Sequence, residues 1–87
     1  MAYEFTYFSK ENNYWLGIDP KSGRTLLGIP VSNPMVDYIE SYWISREDYQ
    51  AFMQNHDLAI DFADACRRHE HDDHLTHPPG RYRGTPR

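Results

Sequence analysis

The chain has 87 residues, of which 39% are hydrophobic and 15% aromatic, and its formal charge is −4. This length fits one domain with a thin core, and the apolar content excludes a disordered protein. The single cysteine, Cys66, excludes an intramolecular disulfide, and no stretch approaches the ~20 apolar residues that span a bilayer. We therefore expect a cytoplasmic domain that folds without a membrane, a cofactor or a cross-link.

The charge is unevenly distributed along the chain. Residues 1–75 hold six Lys/Arg against thirteen Asp/Glu, a balance of −7, whereas residues 76–87 hold three Arg and no acid, a balance of +3. An acidic body is repelled by phosphate backbones. The pattern therefore disfavours direct binding to nucleic acid and favours a basic protein as partner.

The first half of the sequence predicts four antiparallel strands joined by short turns. Aromatic and polar residues alternate over residues 3–8, which is the period-two pattern of a strand with one buried face. Further strands are predicted at residues 14–18, 24–31 and 35–44. Between the second and the third, the segment Asp19-Pro20-Lys21-Ser22-Gly23 predicts a turn, because proline presets φ and glycine accepts the positive φ that follows.

The strand predicted at residues 35–44 carries large apolar side chains on both faces. One set is Met35, Ile39 and Trp43, and the other is Val36, Tyr38, Tyr42 and Ile44. A helix of the same chain can bury one face. The second face has to be covered by the C-terminal tail, by a second protomer or by a foreign partner.

Two helices are predicted after the strands. Ser45 offers a hydroxyl to cap free N–H groups, and Glu47 and Asp48 place acids in the first turn, where they meet the helix dipole. Asp57 is predicted to cap a second helix that extends to about residue 69, with apolar residues along one side. Helical periodicity ends there.

These elements predict an α+β fold: a four-stranded antiparallel β-meander followed by one or two C-terminal helices packed on one face. Residues 1–69 form the single domain. Residues 70–87 are predicted to be a polar, histidine-rich tail that is either disordered or ordered on contact with a partner.

The sequence offers little for catalysis. The only thiol lies on the apolar side of the second predicted helix, and the serines are explained as turn, strand and cap residues. A glycine-rich phosphate loop is absent. We therefore expect a binding protein and not an enzyme.

A histidine cluster is the candidate metal site. Residues 69–77 contain four histidines and three carboxylates, and on a continued helix His71 and His74 would face a common metal ion. A solvated polar helix end is the alternative interpretation, since the spacing matches no closed structural zinc site.

The aromatic segment at residues 38–43 is the candidate partner-binding surface. Rigid aromatic side chains surrounded by acids are typical of an interface with a basic protein, although core packing explains part of the set. The residues predicted to form this surface are Asp37, Tyr38, Glu40, Tyr42, Trp43, Glu47, Asp48 and Trp15.

Several short segments together resemble a family of small bacterial proteins. They are residues 14–20 (YWLGIDP), 22–24 (SGR) and 28–31 (GIPV), with Tyr42-Trp43 and Cys66-Arg67-Arg68. Over residues 3–68 the chain is similar to immunity proteins of contact-dependent inhibition and other polymorphic toxin systems. The resemblance implies a cytoplasmic protein that occludes the basic active site of a cognate toxin domain, often a nuclease. Two alternatives stay open: a metal-binding protein that uses the histidine cluster, and a homodimer or larger homo-oligomer with a regulatory role.

Overall fold

The computed structural model describes residues 3–35, 37–77 and 83–86. Four strands, β1 (Glu4–Ser9), β2 (Tyr14–Ile18), β3 (Thr25–Ser32) and β4 (Asp37–Ile44), pair with their neighbours in chain order, and every pair is antiparallel. Two helices follow the strands. The predicted α+β meander is therefore confirmed.

The turn between β2 and β3 forms as its residues predict. The Asp19 carboxylate accepts hydrogen bonds from the Lys21 backbone N–H and the Ser22 hydroxyl, both at 3.0 Å. Gly23 has a φ of 75° and donates its N–H to the Asp19 carbonyl at 2.8 Å. A residue with a side chain would be strained at this φ, so glycine sets the register in which β3 returns along β2.

The helices are α1 (Arg46–Gln54) and α2 (His56–Arg67). Ser45 caps α1 as predicted, its hydroxyl accepting from the Asp48 N–H at 2.9 Å. The cap of α2 is Asn55, whose side chain accepts a hydrogen bond from the Asp57 N–H. The prediction of Asp57 as the cap was therefore wrong, because the true cap lies two residues earlier. No helix in the described part of the chain has the length and apolar character that a membrane crossing requires.

Both helices pack on the same face of the sheet, which we call the inner face. Strand alternation directs Leu16, Leu27 and Tyr42 to this side, where they meet Phe52 of α1 and Cys66 of α2. Burial raises the pKa of the Cys66 thiol to about 12. The thiol is therefore protonated at neutral pH and packs as a small apolar group.

The segment after α2 returns to the sheet. Leu75 packs against the core and forms a bridge with Tyr42. A short strand, β5 (Thr85–Pro86), pairs with the end of β3 that extends beyond β2. Gly84 permits this approach, because a Cβ at that position would clash with the Ser32 carbonyl oxygen. The described residues beyond the predicted boundary at residue 69 therefore contact the same sheet.

The fold leads to a test at Tyr14, which is fully buried and whose hydroxyl has no hydrogen-bond partner among the described residues. An unsatisfied buried hydroxyl costs about 1–3 kcal/mol, so Tyr14→Phe is expected to leave the free energy of unfolding unchanged or to raise it by up to about 1 kcal/mol. Urea denaturation measures the change. Tyr42→Phe is the matched control: it removes a hydroxyl that donates to Glu40 at 2.6 Å and is expected to lower stability by about 1–2 kcal/mol. A larger loss for Tyr14→Phe than for Tyr42→Phe would contradict this interpretation.

Candidate interaction face

The side of the sheet opposite the helices carries a second set of large apolar side chains. Cross-strand pairing aligns Phe5, Gly17, Leu26 and Trp43 in one row across β1 to β4. Since this row alternates with the inner-face residues, it points away from the helices. We call this side the outer face, and its large side chains are Tyr3, Phe5, Phe8, Trp15, Ile39 and Trp43.

A shift of register in β1 places two phenylalanines on the outer face. Phe5 pairs with Gly17, Tyr7 with Leu16, and Phe8 with Trp15. A one-residue irregularity between Phe5 and Tyr7, typical of a β-bulge, separates these pairs. Strict alternation would turn Phe5 and Phe8 to opposite sides, and the irregularity instead gives them the same side.

The rings of the outer face contact one another in two groups. Phe8 stacks on Trp15 with centroids 4.7 Å apart, and Phe5 lies 6.0 Å from the same indole. At the other group, Tyr3 meets Trp43 edge to face at 5.9 Å, and the Arg24 guanidinium lies 4.1 Å above the Trp43 ring. Such contacts orient the rings and hold them against the sheet.

Two glycines let these side chains lie flat. A Cβ at Gly17 would come within 3.0 Å of the Phe5 ring, and a Cβ at Gly28 within 2.7 Å of the Ile39 side chain. Phe5 and Ile39 therefore occupy the space that side chains at these positions would fill. Leu26 is fully buried on this side although it does not belong to the helix-side core, so its neighbours on the outer face must cover it.

The outer face is open to solvent. Phe5, Phe8 and Ile39 are exposed, and Tyr3, Trp15 and Trp43 are half-buried. Across residues 3–35, 37–77 and 83–86, no helix packs on this side of the sheet. Monomeric soluble proteins seldom expose a contiguous apolar patch of this kind unless it binds something.

The structure separates the residues that the sequence grouped into one surface. Trp15 and Trp43 lie on the outer face, and Asp37 lies at the start of β4, where it accepts a hydrogen bond from the Ser32 hydroxyl. Glu47 and Asp48 are exposed in the first turn of α1, which belongs to the helical layer.

Tyr38, Glu40 and Tyr42 alternate onto the inner face, where Tyr42 is fully buried and Glu40 nearly so. Neither Glu40 nor Tyr42 therefore lies on the surface where the sequence predicts them to contact a partner. Tyr38 is half-buried, and its hydroxyl accepts a hydrogen bond from the Gly84 N–H. Val36, which the sequence placed with this set, lies outside the described residues.

The partner-binding surface predicted from the sequence left out four residues of the outer face: Tyr3, Phe5, Phe8 and Ile39. Alternation along β1 and β4 is the signal that identifies Phe5 and Ile39 as partners of Trp43. Phe8 cannot be found in this way, because its side depends on the register shift within β1.

Glu40 is buried because Arg83 returns from the C-terminal segment to meet it. The guanidinium donates to both Glu40 oxygens at 2.9 and 2.8 Å and to both Asp72 oxygens at 2.9 and 3.0 Å. Tyr42 donates its hydroxyl to Glu40 at 2.6 Å. One guanidinium thus joins β4 to the 3₁₀ turn Asp72–His74, with the bidentate geometry that favours Arg–carboxylate pairs.

The charges of this cluster reinforce one another. Hydrogen bonds from Arg83 lower the pKa of Asp72, and the bonds to Asp72 and Glu40 raise the pKa of Arg83. Burial, together with the hydrogen bond to Glu40, raises the pKa of Tyr42. At neutral pH the Arg83 guanidinium and the Asp72 carboxylate are therefore charged, and the Tyr42 phenol is neutral.

The structure brings His71 and His74 together, although not on a helix. The second helix ends at Arg67, and His69 has a φ of 63°, so the helix does not continue through the histidines. The 3₁₀ turn takes its place, and the two imidazole centroids lie 5.3 Å apart.

No protein-family model, curated protein or solved structure matches this chain.

The Arg83 cluster predicts a strong energetic coupling. Arg83→Met leaves the carboxylate of Glu40 buried without its partner, the side chains being 18% and 6% exposed. Because breaking a buried pair costs about 3–5 kcal/mol and Arg83 retains some contact with water, we expect the free energy of unfolding to fall by about 2–4 kcal/mol. The double variant Arg83→Met/Glu40→Gln removes the charge as well, so it is expected to recover at least half of the loss. Urea denaturation of wild type, Arg83→Met, Glu40→Gln and the double variant measures the coupling energy. Additive losses of stability would count against the coupling.

The same cluster predicts a dependence of stability on pH. Since the folded state lowers the pKa of Asp72, the bond to Arg83 contributes stability above the ordinary pKa of an aspartate and loses it as the pH falls through the lowered value. The stability difference between wild type and Asp72→Asn should be fully present near pH 6 and should shrink as the pH falls below the ordinary pKa of an aspartate. Asp73→Asn is the control, because Asp73 does not receive the guanidinium bonds described above. An equal pH dependence for both variants would contradict the assignment.

Proposed function

We propose that this protein is a binding module that docks a basic protein domain on its outer face. The observation that carries the proposal is the open layer of Phe5, Phe8, Trp15, Ile39 and Trp43, which no described helix covers. Aromatic side chains supply most of the binding energy in protein interfaces when they are held rigid and then desolvated. The ring contacts and the two underlying glycines provide that rigidity before any partner arrives.

The charge of the chain supports a basic protein as the partner. The chain carries a formal charge of −4, so a second copy of the chain and a nucleic acid are both repelled, whereas a basic protein is attracted. Five of the exposed acids lie on the two helices, among them Glu47 and Asp48 of α1 and Asp61 of α2. These acids lie in the other layer, and at physiological salt charges act over about 8 Å. Beyond that distance they are largely screened, so they attract an approaching basic partner mainly at low salt, and the apolar outer face supplies the contact energy.

The partner class follows from the resemblance to immunity proteins. In this proposal the basic partner is a cognate toxin domain, such as a nuclease, and the bound protein keeps the toxin from its substrate. The small size, the acidic charge and the open aromatic face support this function. Homo-oligomerisation through the outer face is the outcome that would replace it.

A matched pair of variants tests the outer face. Phe8→Lys and Leu58→Lys add the same charge at side chains of nearly equal exposure, 45% and 44%, but Leu58 lies on α2 in the helical layer. Because loss of a central aromatic anchor costs about 2 kcal/mol or more, Phe8→Lys is expected to weaken partner binding at least about 30-fold. Leu58→Lys is expected to change it less than about threefold.

The measurement requires a candidate partner: where a toxin domain is found encoded beside the gene, it is produced in inactivated form, and calorimetry gives the affinities. Rising salt should slow association more than it speeds dissociation. If the two lysine variants weakened partner binding equally, the outer face would not be the contact surface. If sedimentation shows that the wild-type protein is a dimer and that Phe8→Lys is a monomer, a second copy of the chain occupies the outer face. The proposed function would then be wrong.

A further inference from the structure

Two histidines and an aspartate at the 3₁₀ turn bring three potential metal ligands together. One ligand atom from each of His71, Asp73 and His74 lies within 4.8 Å of the others. We propose that these three residues bind a divalent transition metal ion, and that zinc is the ion they suit best. Imidazole nitrogen and carboxylate oxygen are common zinc ligands, and three protein ligands leave the fourth tetrahedral position to water.

The orientation of His74 is the strongest observation in favour. Its Nδ1 lies 3.1 Å from the Trp43 carbonyl oxygen, and since a carbonyl only accepts, Nδ1 carries the proton. The lone pair is therefore on Nε2, which lies 3.6 Å from an Asp73 carboxylate oxygen. A metal-binding histidine normally donates its other nitrogen to a carbonyl or carboxylate in this way, which fixes the ring and increases its basicity.

Packing also holds His71 in place. Its ring stacks on Phe62 of α2 with centroids 4.3 Å apart and planes 11° from parallel. Phe62 is also 6.3 Å from His74, so one aromatic side chain of the core supports both imidazoles. The two nitrogen ligands are thus oriented by residues outside the cluster, and little side-chain freedom remains to be lost when an ion binds.

The ligand atoms, which lie within 4.8 Å of one another, have to approach by up to about 1.4 Å to bind one zinc ion. Ligands on a tetrahedral zinc with bonds of about 2.0–2.1 Å are about 3.4 Å apart, close to the separation of His74 and Asp73. Asp73 is 81% exposed and free to rotate toward the imidazoles. Neighbouring groups are engaged elsewhere: Asp72 binds Arg83, and the His77 ring contacts the Thr76 hydroxyl. The site is therefore a set of three residues and not the whole histidine-rich segment.

A metal at this position would link the C-terminal segment to the sheet. His74 is bonded to the backbone of Trp43 in β4, and the adjacent Asp72 is bonded to Arg83. An ion that binds only the folded state shifts the folding equilibrium toward that state in proportion to its concentration over its Kd. We therefore expect zinc to raise the Tm of the protein, in addition to and independently of partner binding.

The test uses the full chain without an affinity tag, stripped with chelator and titrated with zinc chloride in a calorimeter at neutral pH. We expect one ion per chain with a Kd below about 10 μM, which is a modest affinity for a three-ligand site. Asp73→Asn and His71→Gln should each weaken binding at least about tenfold. His77→Gln is the matched control and should change the Kd less than about threefold.

Two results would overturn the site: no zinc binding below about 10 μM, or an equal loss for His77→Gln and His71→Gln, which would indicate loose chelation by the histidine-rich segment. Circular dichroism of each metal-free variant checks the fold. Because the Asp73 side chain is exposed, Asp73→Asn is not expected to disturb folding, so a loss of zinc binding in this variant reports on the site itself. The absorption spectrum of the cobalt-substituted protein provides a second measurement. Tetrahedral bands that Asp73→Asn abolishes support the three-residue site, and an octahedral spectrum common to all variants contradicts it.

Discussion

The guanidinium of Arg83 lies between the carboxylates of Glu40 and Asp72, and much of the structure depends on this contact. It holds the C-terminal segment against β4, so that β5 can pair with β3 and Gly84 can approach Ser32. It also places a positive charge where Glu40 and Tyr42 would otherwise be buried without one. A carboxylate with this little exposure is tolerated only with a charged, hydrogen-bonded partner. The contact therefore decides which side of β4 belongs to the interior.

That decision divides the large side chains of the sheet between two faces with different roles. The inner face is closed by the helices, while the outer face is closed only by its own rings, which lie over Gly17 and Gly28. Such a layer protects Leu26 but leaves Phe8 and Ile39 in contact with water. The packing of the helices on the inner face thus stabilises the domain, and the outer face is left available for contact. Five of its exposed acids lie on the two helices, so part of the attraction of a basic partner comes from the layer that does not contact it.

Trp43 connects the features of this protein that bear on function. Its indole belongs to the outer face beneath Arg24, and its carbonyl orients His74 at the proposed metal site. Backbone and side chain of one residue thus join the outer face to a site at the free edge of β4. The strand itself is held in place by the eight pairs it makes with β3. Both sites therefore rest on a rigid element, which is what a preorganised site requires.

The sequence alone determined the four strands, the Asp19–Gly23 turn, the Ser45 cap and the surplus of apolar side chains on β4, because each depends on residues close together in the chain. It also indicated Trp15, Trp43, His71 and His74 as candidate site residues. Only the tertiary structure decided which of the two faces the helices cover. The register shift in β1 moves Phe8 to the outer face, and Arg83 draws Glu40 inward across 43 residues of chain. Asp73 joins the two histidines only because the chain leaves the helix at Arg67. Contacts between residues far apart in the chain leave no periodic pattern in the sequence, and for this reason they could not be predicted from it.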